Sequence, residues 1–402
     1  MKQRLYILLA FALSVLSVPG RADSWLPPQP ETYLSPDKDH RLRIIPRALS
    51  SPLAYFSDKV EGKEPAGAPR GSKQILARAI VERLNVDGRW TTVWDTTLTN
   101  EVAPVVALIS DGGQYVVTFD NWHSVGYGAN VVAIHDRQGQ LIRKMALSDL
   151  LSADYIAALS HSVSSIHWRG NPRLTEDGNL SIPIVVPHDD DPSDKEIYID
   201  AIIRLADGKV LSGSSPDWQK AIAFAQSVAA QKREYAEQSK RAFINPLLGP
   251  AANTERGWHD YLSEAFYRTA SDWKDNVPAS TVLRDPKDEE YAASEGWLRE
   301  NLLALDYPKD AIAIASIAPF DYLVERMKAI LADAKPGKLK GVRLYIVAPS
   351  TALPMLKAMF APTGAKVICL DPTQPIPQRP ERLKRFRSSD RSISAAGFRL
   401  VR

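Results

Sequence analysis

The sequence contains one cysteine, Cys369, among 402 residues. An internal disulfide is therefore excluded, and packing alone must hold the core together. Long apolar runs are also missing after the first 22 residues, and none reaches the length of a membrane span. The motifs H-E-x-x-H, G-x-S-x-G, G-x-G-x-x-G and the phosphate-binding loop do not occur. No activity follows from a short motif, and the organisation of the chain is the remaining source of information on function.

The chain starts with MKQRLYILLAFALSVLSVPGRADSW. A positive start, a short apolar core and the small residues Gly20 and Ala22 are typical of a secretory signal peptide. We expect cleavage after Ala22 and a periplasmic or secreted mature chain without a transmembrane helix. An uncleaved membrane anchor is the alternative.

Charge is distributed unevenly along the chain. The net charge is +3, but residues 378–402 carry eight basic and two acidic side chains, and residues 23–377 are acidic overall. The basic tail predicts contact with another envelope protein or an anionic cell-surface polymer, unless it is only a solvated terminus. An acidic body without a recognition motif argues against nucleic acid as a partner.

Between about 40 and 212 the chain alternates apolar runs with turn signals. Asp-Gly pairs begin at Asp87, Asp111, Asp177 and Asp207, and Arg137-Gln138-Gly139 fills the same role. Asp-Gly favours hairpins because these turns need positive φ, which glycine adopts without penalty. The pattern predicts an antiparallel, meander-like β domain.

Two of these segments, ISDGGQYVVTFD and LTEDGNLSIPIVV, resemble the hairpins of WD40-like β-propeller blades. The region has room for at most about four blades of ~40–45 residues. The chain as a whole resembles uncharacterised exported bacterial proteins, a resemblance that implies no particular activity.

A long helix and a linker follow the β domain. Helical periodicity starts at Ser215-Pro216-Asp217 and gives way to NPLLGPAANTERG, which is rich in proline and glycine. Downstream, AIAIASI, VRLYIV and AKVICL alternate with amphipathic segments and predict a parallel sheet with crossover helices. The predicted divisions are 1–22 (signal peptide), 23–213 (β domain), 214–254 (connecting helix and linker), 255–377 (helical, then βαβαβ-like) and 378–402 (tail).

Each predicted strand of the C-terminal sheet ends in a small polar loop: APFD at 318–321, APST at 348–351 and DPTQ at 371–374. Ligands of open α/β sheets bind at the carboxyl ends of the strands. Ser350 and Asp371 are therefore candidate ligand-binding residues, with an anion at free helix-start amides as one hypothesis. Helix capping alone is the alternative.

A second candidate site follows the strand QYVVTFD. Asp120 and His123 lie in DNWHSVGYG. His161 repeats the His-Ser-Val triplet of His123 and opens the segment HSVSSIHW, which is predicted to form one strand. Two imidazoles and a carboxylate could bind a metal or perform acid–base chemistry. A polar strand corner is the alternative, because aspartate and asparagine are common turn formers.

Two further groups of residues have patterns that suggest a role. Trp122 and Tyr127 lie beside glycines and are predicted to line a surface groove, whereas Trp218, Trp258, Trp273 and Trp297 are predicted to pack in helical cores. Asp189, Asp191 and Ser193 are spaced like calcium ligands, but Pro192 interrupts them and the turn glycine is missing, which favours a solvated hairpin tip.

Together these features predict an α+β protein. Its N-terminal antiparallel β domain is a sandwich or a partial propeller-like stack, and a long connecting helix leads to a smaller C-terminal α/β domain. The leading functional hypothesis is an exported binding or interaction module of unknown ligand. The alternative is a hydrolase or metal-assisted enzyme that uses Asp120, His123 and His161. No cofactor and no metal are assigned.

Overall fold

A computed structural model describes residues 26–187, 195–304 and 310–384. Its contacts divide the chain into two units between Glu234 and Tyr235, within the segment predicted to connect the domains. The predicted signal peptide, the residues spaced like calcium ligands (Asp189, Asp191 and Ser193) and the basic tail from residue 385 onward lie outside the described residues.

The N-terminal unit contains three four-stranded sheets, each antiparallel with its strands in sequence order. The first has β1 (Glu31–Leu34), β2 (His40–Ile45), β3 (Arg78–Leu84) and β4 (Trp90–Thr97), with helix α1 (Pro52–Glu61) between β2 and β3. The second has β5 (Val106–Ile109), β6 (Val116–Phe119), β7 (Val132–His135) and β8 (Leu141–Met145). After helix α2 (Ala153–Ala158) and the pair β9 (Ser160–His161) and β10 (Ile166–His167), the third has β11 (Arg173–Leu174), β12 (Asn179–Val185), β13 (Tyr198–Arg204) and β14 (Lys209–Val210).

All five predicted turns join neighbouring antiparallel strands. The four Asp-Gly turns connect β3 to β4, β5 to β6, β11 to β12 and β13 to β14, and the turn with Gly139 connects β7 to β8. Gly88, for example, has a φ of 77°, which a residue with a β-carbon rarely adopts. The antiparallel meander predicted for this half is confirmed.

The second sheet is buried on both faces. All four residues of β6, VVTF, and of β7, VAIH, are buried. Since side chains alternate between faces, Val116 packs with the first sheet, and Val117 and Phe119 pack with the third. The sheets therefore form a stack of three with this sheet in the middle, rather than a two-sheet sandwich.

The segment HSVSSIHW, predicted as one strand, is a tight hairpin instead. Ser160–His161 pairs antiparallel with Ile166–His167. The hydroxyl of Ser162 accepts a hydrogen bond from the backbone N–H of Ser165 at 2.9 Å, which folds the chain back. Serine side chains favour turns in this way, so the single-strand prediction was wrong.

Helix α3 (Pro216–Ile244) begins where the sequence predicts, with the hydroxyl of Ser215 accepting from the backbone N–H of Trp218. Trp218, Ala225 and Val228 enter the core of the N-terminal unit. Despite its 29 residues, α3 lacks the hydropathy of a membrane span, as do the other helices within the described ranges.

The C-terminal unit is built on a parallel sheet of four strands in sequence order. Helix α4 (Glu255–Thr269) precedes β15 (Ala279–Leu283), and the chain continues through α5 (Tyr291–Arg299), β16 (Ala311–Ser316), α6 (Phe320–Leu331), β17 (Arg343–Val347), α7 (Leu353–Phe360) and β18 (Lys366–Leu370). The predicted parallel sheet with crossover helices is confirmed.

The first strand of this sheet, β15, was not predicted from the sequence. It contains Ser280 and Thr281, which interrupt the continuous apolar run typical of a buried parallel strand. The buried hydroxyl of Thr281 is satisfied by the side-chain amide of Asn301, so burial of this polar residue is tolerated.

The helices cover both faces of the parallel sheet. Side chains of α5, α6 and α7 pack on one face with Ile312, Ile314 and Leu344, and α4 packs on the other with Ala313 and Tyr345. Coverage of both faces leaves the two ends of the strands as the places where loops can form a site.

Burial on both faces makes the middle sheet of the N-terminal unit sensitive to loss of volume. We expect Ile134→Ala to lower the free energy of unfolding of this unit by about 2–5 kcal/mol, because Ile134 is fully buried and truncation leaves a cavity. Hydrogen exchange of the β6 and β7 amides in denaturant measures the loss. Ile197→Ala, at an exposed isoleucine, is the matched control, and equal losses in both variants would contradict the stacked arrangement.

Candidate functional site

Asp120 lies directly after β6 with a φ of 57°. Its buried carboxylate accepts hydrogen bonds from the Gly126 backbone N–H at 2.7 Å and from Nε1 of Trp168 at 3.4 Å. The guanidinium of Arg169 donates to its second oxygen at 2.9 Å, and both side chains of this ion pair are buried. Asp120 thus ties the glycine loop 124–128 to the segment after β10.

Burial raises the pKa of Asp120, and the charge of Arg169 opposes that rise. Both carboxylate oxygens already bind groups of the protein, and Arg169 also lies 4.8 Å above the ring of Phe119. Breaking a buried ion pair leaves an uncompensated charge, which is strongly destabilising. The arrangement therefore gives Asp120 a structural role at the strand corner.

His123 belongs to a different hydrogen-bonded chain. Its Nε2 contacts the hydroxyl of Tyr55, which donates to Oε2 of Glu101 at 3.0 Å. Lys59 also contacts that oxygen at 3.0 Å. Burial lowers the pKa of His123 and raises that of Tyr55, so the imidazole and the phenol are both neutral near pH 7.

Trp122 packs within this same group rather than facing a groove. Its side chain is 7% exposed, stacks on Phe56 with ring centroids 6.1 Å apart, and donates from Nε1 to the carbonyl of Leu26 at 2.8 Å. A tryptophan with a buried ring and a satisfied N–H fills a core.

His161 has a third set of neighbours. Its Nε2 lies 2.7 Å from the carbonyl oxygen of Ile156, and its Nδ1 lies 3.4 Å from the hydroxyl of Tyr127. Tyr127 is half-buried and also donates to the carbonyl of Ser162. Of Trp122 and Tyr127, which were predicted to line a groove, only Tyr127 has a partly accessible side chain, and its hydroxyl lies next to His161.

The structure does not bring Asp120, His123 and His161 together. In residues 26–187, 195–304 and 310–384, the one group of three possible metal ligands within 4.8 Å of one another is Asp37, Asp39 and His40. A metal site or an acid–base pair requires convergent side chains, and each of the three candidates is engaged with other residues.

The second predicted site, at the carboxyl end of the parallel sheet, is a cavity. It has a volume of about 280 Å³ and is called the carboxyl-edge cavity here. All three predicted loops contribute to its lining. Its main lining residues are Trp258 from α4, Ala318 and Phe320, Ala348 and Pro349, and Asp371, Pro372 and Thr373.

The cavity forms at this edge because β16, β17 and β18 are parallel neighbours. Every crossover then starts at the same end of the sheet, and the three loops meet there. Trp258 is held in place by a hydrogen bond from its Nε1 to the side chain of Asn253 at 2.7 Å. Its ring therefore presents a fixed apolar wall.

Asp371 and Ser350, the two residues predicted here, are joined to each other. Ser350 donates to Oδ2 of Asp371 from its backbone N–H at 2.8 Å and from its hydroxyl at 2.6 Å. Thr373 donates to Oδ1 in the same two ways, at 3.0 and 2.7 Å. The hydroxyls of Ser350 and Thr373 hold the pKa of Asp371 well below its usual range, so it is ionised at physiological pH.

These bonds change the interpretation of Ser350. The sequence suggested that the helix-start amides here were free to bind an anion. In the structure both donors of Ser350 bind Asp371, so the protein's own carboxylate occupies the place proposed for that anion.

The sequence placed Trp258 among the core tryptophans, and the structure corrects this for two of the four. Trp258 lines the cavity, and Trp297 is 50% exposed on α5. Helical periodicity shows which face of a helix is covered, but it does not distinguish a core from a cavity wall.

Cys369 lies next to this site, on β18. Its half-buried thiol donates to the carbonyl of Ala348 at 3.2 Å. Burial, assisted by the charge of Asp371, raises the pKa of the thiol.

No protein-family model and no curated protein matches this sequence.

The buried ion pair between Asp120 and Arg169 predicts a pH-dependent loss of stability. Arg169→Met should lower the free energy of unfolding by about 3–5 kcal/mol at pH 7. Part of the lost stability should return at lower pH. The pKa of Asp120 is raised in the folded state, so its protonation below that pKa favours folding. Denaturant unfolding between pH 4 and 8, roughly the window around an aspartate with a raised pKa, measures both effects.

Arg173→Met is the matched control for this prediction. Arg173 pairs with Asp200 on the surface, with both side chains at least 40% exposed, so its loss should stay below about 1 kcal/mol. The double change Asp120→Asn with Arg169→Met should cost less than Arg169→Met alone. A loss independent of pH would contradict the role given to Asp120.

The raised pKa of Cys369 predicts slow modification of the thiol. The folded chain should react with a disulfide reagent more slowly at neutral pH than the unfolded chain does, because only the thiolate attacks. Asp371→Asn should move the midpoint of the rate–pH profile to lower pH, and Glu325→Gln, at an exposed residue of α6, should not. An ordinary cysteine profile in the folded protein would refute the assignment.

Proposed function

We propose that this chain is an exported binding protein whose C-terminal unit holds a small molecule in the carboxyl-edge cavity. The observation that carries the proposal is the cavity itself, formed by the three loops at the end of the parallel strands. Export is proposed from the residues of the N-terminal segment alone.

The size of the cavity supports a ligand site. Protein cores contain few voids larger than a water molecule, and a water occupies about 30 Å³ in the liquid. At about 280 Å³, the cavity is close to the lower end of the ~300–1,000 Å³ found for small-molecule sites. Its position at strand ends, between loops, is where such sites form in open α/β sheets.

The composition of the lining favours binding over catalysis. Most lining residues are apolar, and Asp371 is the one ionisable side chain among them. General acid–base chemistry needs a group that can exchange a proton near the working pH, and Asp371 is held in its ionised form. A ligand would thus be held by an apolar pocket with one fixed polar end, which is a common design of binding sites.

Ligand-observed NMR screening of the full chain with a fragment library tests the proposal. Fragments that bind should lose about tenfold or more in affinity in Trp258→Leu, because an aromatic wall is a typical source of binding energy. Trp297→Leu, at an exposed tryptophan of the same unit, is the matched control and should leave the affinity unchanged. Absence of binding fragments, or equal effects of both substitutions, would refute the proposal.

A further inference from the structure

The carboxyl-edge cavity contains a negative charge without a cation. In the described parts of the C-terminal unit no lysine, arginine or histidine pairs with Asp371, whose hydrogen-bond partners are the neutral amides and hydroxyls of Ser350 and Thr373. We infer that the ligand of this cavity is an organic cation, an amine on a small apolar body. This inference rests on the proposed function and adds the chemical class of the ligand.

The four hydrogen bonds to Asp371 favour a cation over a neutral donor. A carboxylate has about four lone-pair positions, and Ser350 and Thr373 already supply four donors. A neutral alcohol or amide would need one of these positions to bind. A cation gains from the full negative charge, which the four bonds hold in place but do not neutralise.

The walls of the cavity strengthen this preference. Trp258 and Phe320 line it together with Asp371, and the faces of aromatic rings attract cations. The aromatic rings and the carboxylate thus select the same class of ligand.

An anion is disfavoured by the same geometry. Helix α6 starts at Phe320, and a helix start carries partial positive charge. Its first turn, however, already contains the carboxylate of Asp321. An anion in the cavity would therefore meet the charge of Asp371, and none of the described residues that line the cavity has a cationic side chain to balance the repulsion.

The test compares three probes of similar shape on the full chain: phenethylamine, phenethyl alcohol and phenylpropionate. Isothermal titration calorimetry at low salt should show the amine binding about tenfold or more tightly than the alcohol, with no binding of the carboxylate. Added salt should weaken the binding of the amine and leave the binding of the alcohol unchanged, because salt screens the attraction between charges. This salt test needs no variant and does not depend on how well a mutant folds.

Asp371→Asn should remove most of the preference for the amine over the alcohol, a loss of about tenfold in their affinity ratio. Glu325→Gln removes one negative charge from an exposed position on α6 and should leave the ratio unchanged. Equal binding of amine and alcohol, or tighter binding of the carboxylate, would overturn the inference.

If none of the three probes binds, the inference that the ligand is an organic cation is also overturned. The proposed function is decided separately, by the fragment screen with Trp258→Leu. The two can therefore fail independently.

Discussion

The parallel register of β15 to β18 is the constraint on which the candidate site depends. Each parallel strand must be followed by a crossover, and every crossover leaves from the same edge of the sheet. Four strands in sequence order bring the loops after β16, β17 and β18 to neighbouring positions. The helices cover both faces of the sheet, and the carboxyl-edge cavity lies where the strands end.

The loops at this edge also stabilise themselves. Asp371 takes the donors of Ser350 at the start of the turn before α7 and those of Thr373 in its own loop. The carboxylate of Asp371 and the hydroxyls of Ser350 and Thr373 therefore have partners before any ligand arrives. A site built in this way keeps its shape without a ligand, which reduces the ordering cost of binding.

Much of this organisation was readable in the sequence because its causes are local. Asp-Gly pairs predict hairpins from the φ values that turns require, and alternating strand and helix patterns predict a parallel sheet. Those patterns correctly placed the loops that contain Phe320, Pro349 and Asp371 at one edge. The single strand predicted for HSVSSIHW was wrong because serine side chains can support a turn as readily as a strand.

The sequence did not reveal contacts between residues that are far apart along the chain. Tyr55 contacts Glu101 and His123 across 46 and 68 residues, and Arg169 reaches Asp120 across 49. No periodicity links such positions. The repeated His-Ser-Val triplet suggested that His123 and His161 were neighbours, but α1, which supplies Tyr55, was not predicted. Without that helix the environment of His123 could not be derived.

Asp120 and Asp371 show how the environment decides what the same side chain can do. Asp120 is fully buried and forms an ion pair with the guanidinium of Arg169. Its charge therefore joins two segments of the N-terminal unit. Asp371 is only half-buried and meets neutral donors, which fix the carboxylate but leave its charge uncompensated. The aromatic walls and the carboxylate beside them both attract a cation, which is the class of ligand that we infer. Asp120, a catalytic candidate in the sequence, therefore joins two segments of its unit, whereas Asp371, a ligand-binding candidate there, is the better candidate for contact with a ligand.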